Sequence, residues 1–286
     1  MPPRYDGIGT VISTHKQAAA MPPMTLPEIG LGTWMNPGER CAESVATGLE
    51  MGYTHVDTAQ DYENEADVGE GIRRADVSRD AFTVATKVRW NNLGYDDVLA
   101  STRDSREQLG VDCIDLLYIH WPAGAYEPEE TFSALAELVD QGVVRHIGVS
   151  NFTVDLLEEA LEVSAVPLVA NQVEMHPLQQ QEEMMSFTHD HDMYLVAYSP
   201  LARRNVFGIS EIVEIANKHG LSPAQVSLAW LTSEDNVVPI PMADIETHLR
   251  ENLQAPSIEL DAEDIEMIES IEREEKYVDP EFAPWR

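Results

Sequence analysis

Between residues 29 and 240 the chain repeats one theme eight times: a short, nearly continuous apolar run, followed in most cases by an amphipathic segment. The runs are Ile29–Gly32, His55–Asp57, Phe82–Val88, Ile114–Ile119, His146–Ser150, Leu168–Glu174, Tyr194–Tyr198 and Val237–Ile240. Strands without apolar/polar alternation are buried on both faces, as in a parallel sheet covered by helices. Helical periodicity places helices at Cys41–Met51, Asp97–Leu109, Glu129–Gln141, Val154–Val163, Glu182–His189 and Pro223–Leu231, with an extra one at Ser210–His219 before the last run. Eight such units in 286 residues predict a single α/β domain, a (β/α)8 TIM barrel. An open doubly wound sheet is the alternative, but no G-x-G-x-x-G follows the first run. Residues 1–25, with prolines at 2, 3, 22 and 23, read as an N-terminal extension or cap, and residues 273–286 as a C-terminal tail near the site.

Charge restricts partners and setting. The chain carries 51 acidic and 18 basic residues, a formal net charge of −33, and four lysines: Lys16, Lys87, Lys218 and Lys276. The acids are spread through helix-like segments with the hydrophobic pattern intact between them, which argues against disorder. Such self-repulsion is screened in concentrated salt, where the Debye length falls to about 3 Å, so a salt-rich cytoplasm is expected. Nucleic acid and anionic membranes are poor partners for this surface. No apolar run approaches the ~18 residues of a membrane span, and the start lacks the order of a secretory signal. Cys41 and Cys113 lie in apolar-patterned segments without metal-ligand spacing and read as buried thiols, so no metal site is expected. His189 and His191 in THDHD read as solvated rather than as a ligand pair.

The carboxyl ends of the apolar runs carry the chemistry. In a barrel these ends converge on one face, where active sites are built. Asp57 closes the second run, Lys87 stands near the end of the third and His120 closes the fourth; Ser150 and Asn151, then Asn171, Gln172 and Glu174, then Tyr198 follow. The stretch Gly52–Gly69 reads as strand, loop and helix, with Asn64 and Asp67 capping a helix whose last turn holds Arg73 and Arg74, and with Tyr62 on the loop. Lys87 lies inside the apolar VATKV, where an ammonium needs a partner, and Asp57 is the candidate. A phenol, an ammonium, a carboxylate and an imidazole in one apolar pocket make a proton donor, with the lysine expected to lower the phenol's pKa toward the working range. The set carries no redox group, so a hydride would come from a cofactor.

These residues resemble those of the aldo-keto reductase superfamily, most closely the small prokaryotic aldehyde and diketogluconate reductases, here in a halophilic and archaeal style. The likeness runs from about Met24 to the last helix, through GLGTW at Gly30, the Gly52–Gly69 stretch, TKV at Thr86, LLYIHWP at Leu116, GVSNF at Gly148, NQVEMHP at Asn171 and AYSPL at Ala197. The resemblance implies reduction of aldehydes or ketones with NADP(H) or NAD(H), by a monomer, with Asp57, Tyr62, Lys87 and His120 as the catalytic tetrad. It implies a cofactor site built from Thr33, Trp34, Asp57, Ser150, Asn151, Gln172, Tyr198, Ser199, Leu201, Ile240, Met242, His248, Glu251 and Asn252. Trp34, Tyr62, Trp90, His120 and Trp121 would line the substrate pocket, and the short segment after Tyr198 implies an open cleft under Phe282 and Trp285 of the tail. One departure bears on the cofactor. Where most members read proline, lysine, serine and a later arginine around the adenosine 2′-phosphate, this chain reads Pro241, Met242, Ala243 and His248, which leaves NADPH and NADH both open. A cofactor-binding sensor without turnover, or a Schiff-base enzyme using Lys87, are the rival classes.

The charge makes the first testable statement. Thermal melting followed from 0.1 M to several molar KCl is expected to rise steeply, and a flat profile would remove the salt-rich setting.

Overall fold

The computed structural model describes residues 23–286; most of the expected N-terminal cap, residues 1–22, lies outside the described residues. Among the described residues the strands are β1 (Leu31–Gly32), β2 (His55–Asp57), β3 (Thr83–Val88), β4 (Ile114–Ile119), β5 (Val144–Ser150), β6 (Leu168–Glu174), β7 (Tyr194–Tyr198) and β8 (Val237–Pro239). The helices are α1 (Glu39–Met51), α2 (Glu65–Arg74), α3 (Tyr95–Leu109), α4 (Pro128–Asp140), α5 (Val154–Val163), α6 (Glu182–Asp190), α7 (Ser210–His219), α8 (Pro223–Ser233), α9 (Glu246–Gln254) and α10 (Ala262–Glu269). The strands form one curled parallel sheet in sequential order, β1 through β8, within a single domain. Its two outer strands also meet: Gly30 N–H donates to Pro239 O at 2.9 Å and Gly32 N–H to Pro241 O at 3.1 Å. Glycine is required at that seam, because a Cβ on Gly32 would stand 2.5 Å from the Ile240 carbonyl oxygen.

Alternate strand residues build two layers of core. One face packs against the helices in a large cluster that runs from Leu31 to Ile271. The inner face of the curl holds a second cluster of Leu26, Ala85, Leu116, Tyr118, Ala170, Val196, Val238 and Ile240. Lys87 alternates with Ala85 on β3 and Tyr118 with Leu116 on β4, so the inner face changes from apolar to polar toward the strands' carboxyl ends. That gradient is what turns one end of the sheet into a site.

Several boundaries differ from the periodicity. The backbone of β1 starts at Leu31, and β5 starts two residues earlier than read, at Val144, because exposed Arg145 interrupted the apolar run without interrupting the ladder. Helix α9 was not read as a helix, since one buried leucine and one buried asparagine among polar residues leave little periodic signal. Asn64 does stand at the N-cap of α2, but its side chain does not cap the helix. Its amide donates instead to Thr33 O at 2.9 Å and Asn36 O at 3.1 Å, and its oxygen accepts from Thr58 Oγ1 at 2.8 Å. Asp67 likewise accepts from Gly38 N–H at 2.6 Å. Asn64 and Asp67 thus satisfy backbone groups of the loop after β1 from the segment that follows β2. Cys41 is buried as expected, whereas Cys113 is only partly so; both thiols are free.

Gly69 is where α2 and α3 touch. A Cβ there would lie 2.4 Å from the Gln108 carbonyl oxygen, a backbone atom that cannot move aside. Gly69→Ala should therefore lower stability by about 1–3 kcal/mol despite the better helix propensity of alanine. Denaturant unfolding in molar salt checks this, and an unchanged or raised midpoint would show that the two helices separate freely.

Candidate active site

The polar end of the sheet opens into a cavity of about 800 Å³. Its floor is an ion pair that has no contact with solvent. Lys87 Nζ donates to Asp57 Oδ1 and, at 2.7 Å, to the Thr58 carbonyl oxygen; the side chains are 0% and 1% exposed. Asp57 Oδ2 accepts from Gln172 Nε2 at 2.8 Å, so both carboxylate oxygens are used. Burial pulls the Lys87 ammonium below the usual lysine value and Asp57 pulls it back.

Tyr62 lies above this pair, in the 3-10 turn Gln60–Tyr62 that follows β2. Lys87 Nζ stands 5.1 Å from the centre of the Tyr62 ring, and the His120 ring meets it edge-on at 5.8 Å. The structure corrects one expectation here. Burial, reinforced by Asp57 and Asp61, drives the Tyr62 phenol well above its ordinary value. Burial outweighs the nearby ammonium, so the phenol holds its proton at neutral pH.

A chain of hydrogen bonds carries the floor outward. Tyr198 O–H donates to Asn151 Oδ1 at 2.7 Å; Asn151 Nδ2 donates to Ser150 Oγ and to the His120 carbonyl, both at 3.0 Å; Ser150 Oγ donates to Gln172 O at 2.8 Å. Asn151 reaches this position from a left-handed backbone at φ 63. Thr33 Oγ1 donates to Asp57 O at 3.0 Å, which joins the loop after β1 to the same floor. Of the residues expected to bind cofactor, Trp34, Asp57, Asn151, Gln172, Tyr198, Ser199, Leu201, Ile240, Met242 and buried Thr33 line the cavity. Ser150 stands behind it, and its hydroxyl is spent on a backbone carbonyl. His248, Glu251 and Asn252 lie on α9, away from the lining; His248 is exposed and Asn252 buried.

The aromatic wall is present, with Phe282 of the tail in it and Trp285 outside it. Trp34, Trp90, Trp121 and Phe282 line it, with Phe282 stacked on Trp90 at 5.1 Å and edge-on to Trp121 at 5.5 Å. Trp34 and Phe282 are 40% and 41% exposed, unusual for such large apolar groups. Trp285 does not line the cavity; it backs Trp121 at 5.6 Å and carries Lys276 Nζ 3.5 Å above its ring. The tail is pinned beside the site because buried Glu174 accepts the backbone N–H groups of Tyr277 at 2.9 Å and Val278 at 3.0 Å.

Two groups were missed by the sequence reading. The segment after Tyr198 builds a rim: it turns into the 3-10 stretch Ala202–Gly208 with left-handed backbone at Ser199, Ala202, Arg203 and Arg204. Arg203 and Arg204 line the cavity, and the Arg203 guanidinium lies 4.6 Å from the Trp34 ring across it. With Arg40, which pairs with Asp244 at 3.2 Å, they place three cations at one cavity of a chain with net charge −33. Scarcity was the available signal: paired arginines directly after AYSPL stand out in so acidic a composition. The other is Asp61, whose Oδ2 lies 2.9 Å from His120 Nδ1.

A model of the aldo/keto reductase family matches residues 28–273. The chain belongs to that family. It is 38% identical over 265 residues to the methylglyoxal reductase DkgB of Salmonella typhi, across 91% of this chain and 99% of that protein. To the glyoxal reductase of Bacillus subtilis (strain 168) it is 37% identical over 253 residues, across 88% and 91%. Among solved structures, a putative 2,5-diketo-D-gluconic acid reductase B superposes with a TM-score of 0.87 at 34% identity, covering 90% of this chain and 92% of that one. The curled eight-stranded sheet is accordingly the (β/α)8 fold of the aldo/keto reductases, and the protein is an NAD(P)H-dependent oxidoreductase acting on carbonyl groups.

In this aldo/keto reductase the Asp57–Lys87 pair should behave as one unit. Lys87→Met leaves a carboxylate buried without its cation, at an expected cost of about 3–5 kcal/mol. The double variant with Asp57→Asn should recover a large part of that loss. Unfolding midpoints in molar salt provide the cycle, and losses that simply add would show that the two side chains are not coupled.

Proposed function

We propose that this protein reduces small aldehydes and ketones to alcohols, with Tyr62 as general acid and Lys87, Asp57 and His120 as its support. The observation that carries this reading is the protonated phenol that lines the cavity floor, with an ammonium under its ring and an imidazole at its edge. The donor set fits a nicotinamide dinucleotide: the Tyr198 ring and the Asn151 and Gln172 amides suit a flat amide-bearing ring, and Arg203 and Arg204 suit its anionic phosphates. When bound, that cofactor supplies the hydride. Thr33 and Trp34 would border its ribose, Ser150 would position Asn151, Ser199, Leu201, Ile240 and Met242 would flank it, and His248, Glu251 and Asn252 would serve the adenosine end.

The rest of the chemistry belongs to the chain. Tyr62 gives its proton to the carbonyl oxygen as negative charge develops there, and Lys87 stabilises the phenolate left behind from beneath the ring. Asp57 holds Lys87 charged and in place. His120 borders the carbonyl and orients it. Trp34, Trp90, Trp121 and Phe282 exclude water and accept the apolar part of the substrate. The names of the relatives favour small dicarbonyls such as glyoxal and methylglyoxal as substrates. The hydrogen bonds between the outer strands support reading the sheet as a closed barrel, with residues 273–286 as a tail near the site.

Tyr62→Phe is expected to retain cofactor affinity and lose about 10²–10⁴ in the rate of carbonyl reduction. Activity retained within a factor of a few would sink the assignment. Cofactor choice is a separate outcome. Met242 and His248 stand where a lysine and an arginine would, and Arg250 is paired with Glu246 at 2.7 Å. NADPH and NADH should differ by less than about tenfold in kcat/KM, a gap of about 1.4 kcal/mol. A hundredfold preference for NADPH would mean that another cation, Arg40 released from Asp244, takes the phosphate.

A further inference from the structure

Asp61 immediately precedes Tyr62 and lines the cavity. Its two oxygens face two different groups. Oδ1 lies 2.6 Å from Arg89 Nε, and Oδ2 lies 2.9 Å from His120 Nδ1, an ion-pair distance with the contact bent from hydrogen-bond alignment. Arg89 is itself fixed, donating through its guanidinium to Gln60 O at 3.1 Å and through its backbone N–H to Gln60 Oε1 at 2.9 Å. The carboxylate is therefore held between a hydrogen-bonded guanidinium and the imidazole, and it is only partly exposed.

That placement decides the proton pattern on His120. A ring whose Nδ1 faces a carboxylate carries a hydrogen there, so the neutral form presents a lone pair at Nε2. Only a second proton turns Nε2 into a donor. Nε2 has no protein partner among the described residues, and the ring lines the cavity next to Tyr62. The charged and titratable groups around it are Asp61 and Tyr62 from the turn after β2, Asp57 from β2, and Lys87 and Arg89 from β3 and the residue beyond it. Burial and Lys87 act against the charged ring, Asp61 and Asp57 act for it, and the balance lies below the ordinary histidine value.

We propose that Asp61 is a positioning residue of the carbonyl reduction, fixing the Nδ1–H tautomer of His120 and sustaining the doubly protonated ring whose Nε2–H donates to the carbonyl oxygen beside the Tyr62 hydroxyl. This rests on the assignment of Tyr62 as the acid. Hydride adds to the carbonyl carbon, the π pair moves to oxygen, and that oxygen takes one proton from Tyr62; the phenolate is reprotonated from solvent, and the His120 proton stays on nitrogen as a hydrogen-bond donor. Reduction then declines as pH rises through the titration of His120, and the carboxylate sets where that decline falls.

The test compares wild type, Asp61→Asn and Asp61→Glu in molar salt. In Asp61→Asn the alkaline limb of kcat should move by about one pH unit toward acid, which is about a tenfold loss of kcat above the limb, with cofactor Kd and melting temperature changed little. Asp61→Glu should restore the limb. Independently of turnover, the His120 signal in ¹³C-histidine-labelled protein, identified by its absence in His120→Gln, should titrate at lower pH in Asp61→Asn. Superimposable pH profiles, or a loss that is the same at every pH, would overturn the proposal. An unmoved His120 titration would overturn it even if the protein reduces no carbonyl tested, and a shifted titration without any turnover would fault the Tyr62 reading alone.

Discussion

A lysine with no access to water has to be neutralised, and the answer this chain gives is the Asp57–Lys87 pair. An ion pair in such surroundings adds little stability over a well-packed apolar pair, yet either partner alone is a severe liability. The second oxygen of Asp57 must also be satisfied, and Gln172 from the far side of the sheet does so. Through Gln172, Ser150 and Asn151 the requirement passes to Tyr198, and through the Asp57 carbonyl to Thr33. The polar end of the sheet is one network whose members hold one another in place.

The network also explains the division of labour within the cavity. In the proposed mechanism its interior supplies the proton, which burial keeps on the phenol. The rims supply what the centre lacks. Aromatic side chains from three loops and the tail form one wall, and arginines on a left-handed turn form the other. Both rims are tied to buried residues, Ala202 and Val206 under the arginine turn and Ala283 in the tail. The tail depends on Glu174 accepting two backbone N–H groups, and the arginine turn reaches across the cavity through a cation–π contact with Trp34.

Eight continuous apolar runs made the sheet legible, and polar residues at their carboxyl ends, which no core would choose, made the polar end of the cavity legible. What stayed hidden has physical reasons. Helix α9 presents too few apolar residues for a period to show. Asn64 looked like a cap because residue type reports the capacity to hydrogen-bond and not the partner, and here a neighbouring loop outbid the helix end. The phenol was read as acidified by Lys87 because adjacency of charge is visible in a sequence, whereas the depth of burial is not. Asp61 was passed over for a related reason: nothing in its position before Tyr62 says that it points at a histidine on β4's carboxyl end.

The central claim is that this cavity joins hydride delivery to a proton from Tyr62 at one carbonyl. Single-turnover reduction of methylglyoxal with cofactor carrying deuterium at the transferable C4 position, in molar salt, addresses it most directly. Deuterium should appear on the former carbonyl carbon of the alcohol, with a proton from the protein and solvent on its oxygen, and Tyr62→Phe should slow the step while leaving the label's destination unchanged. Alcohol formed without cofactor deuterium, or cofactor bound with no transfer to methylglyoxal or to any of a panel of small aldehydes and ketones, would contradict the account.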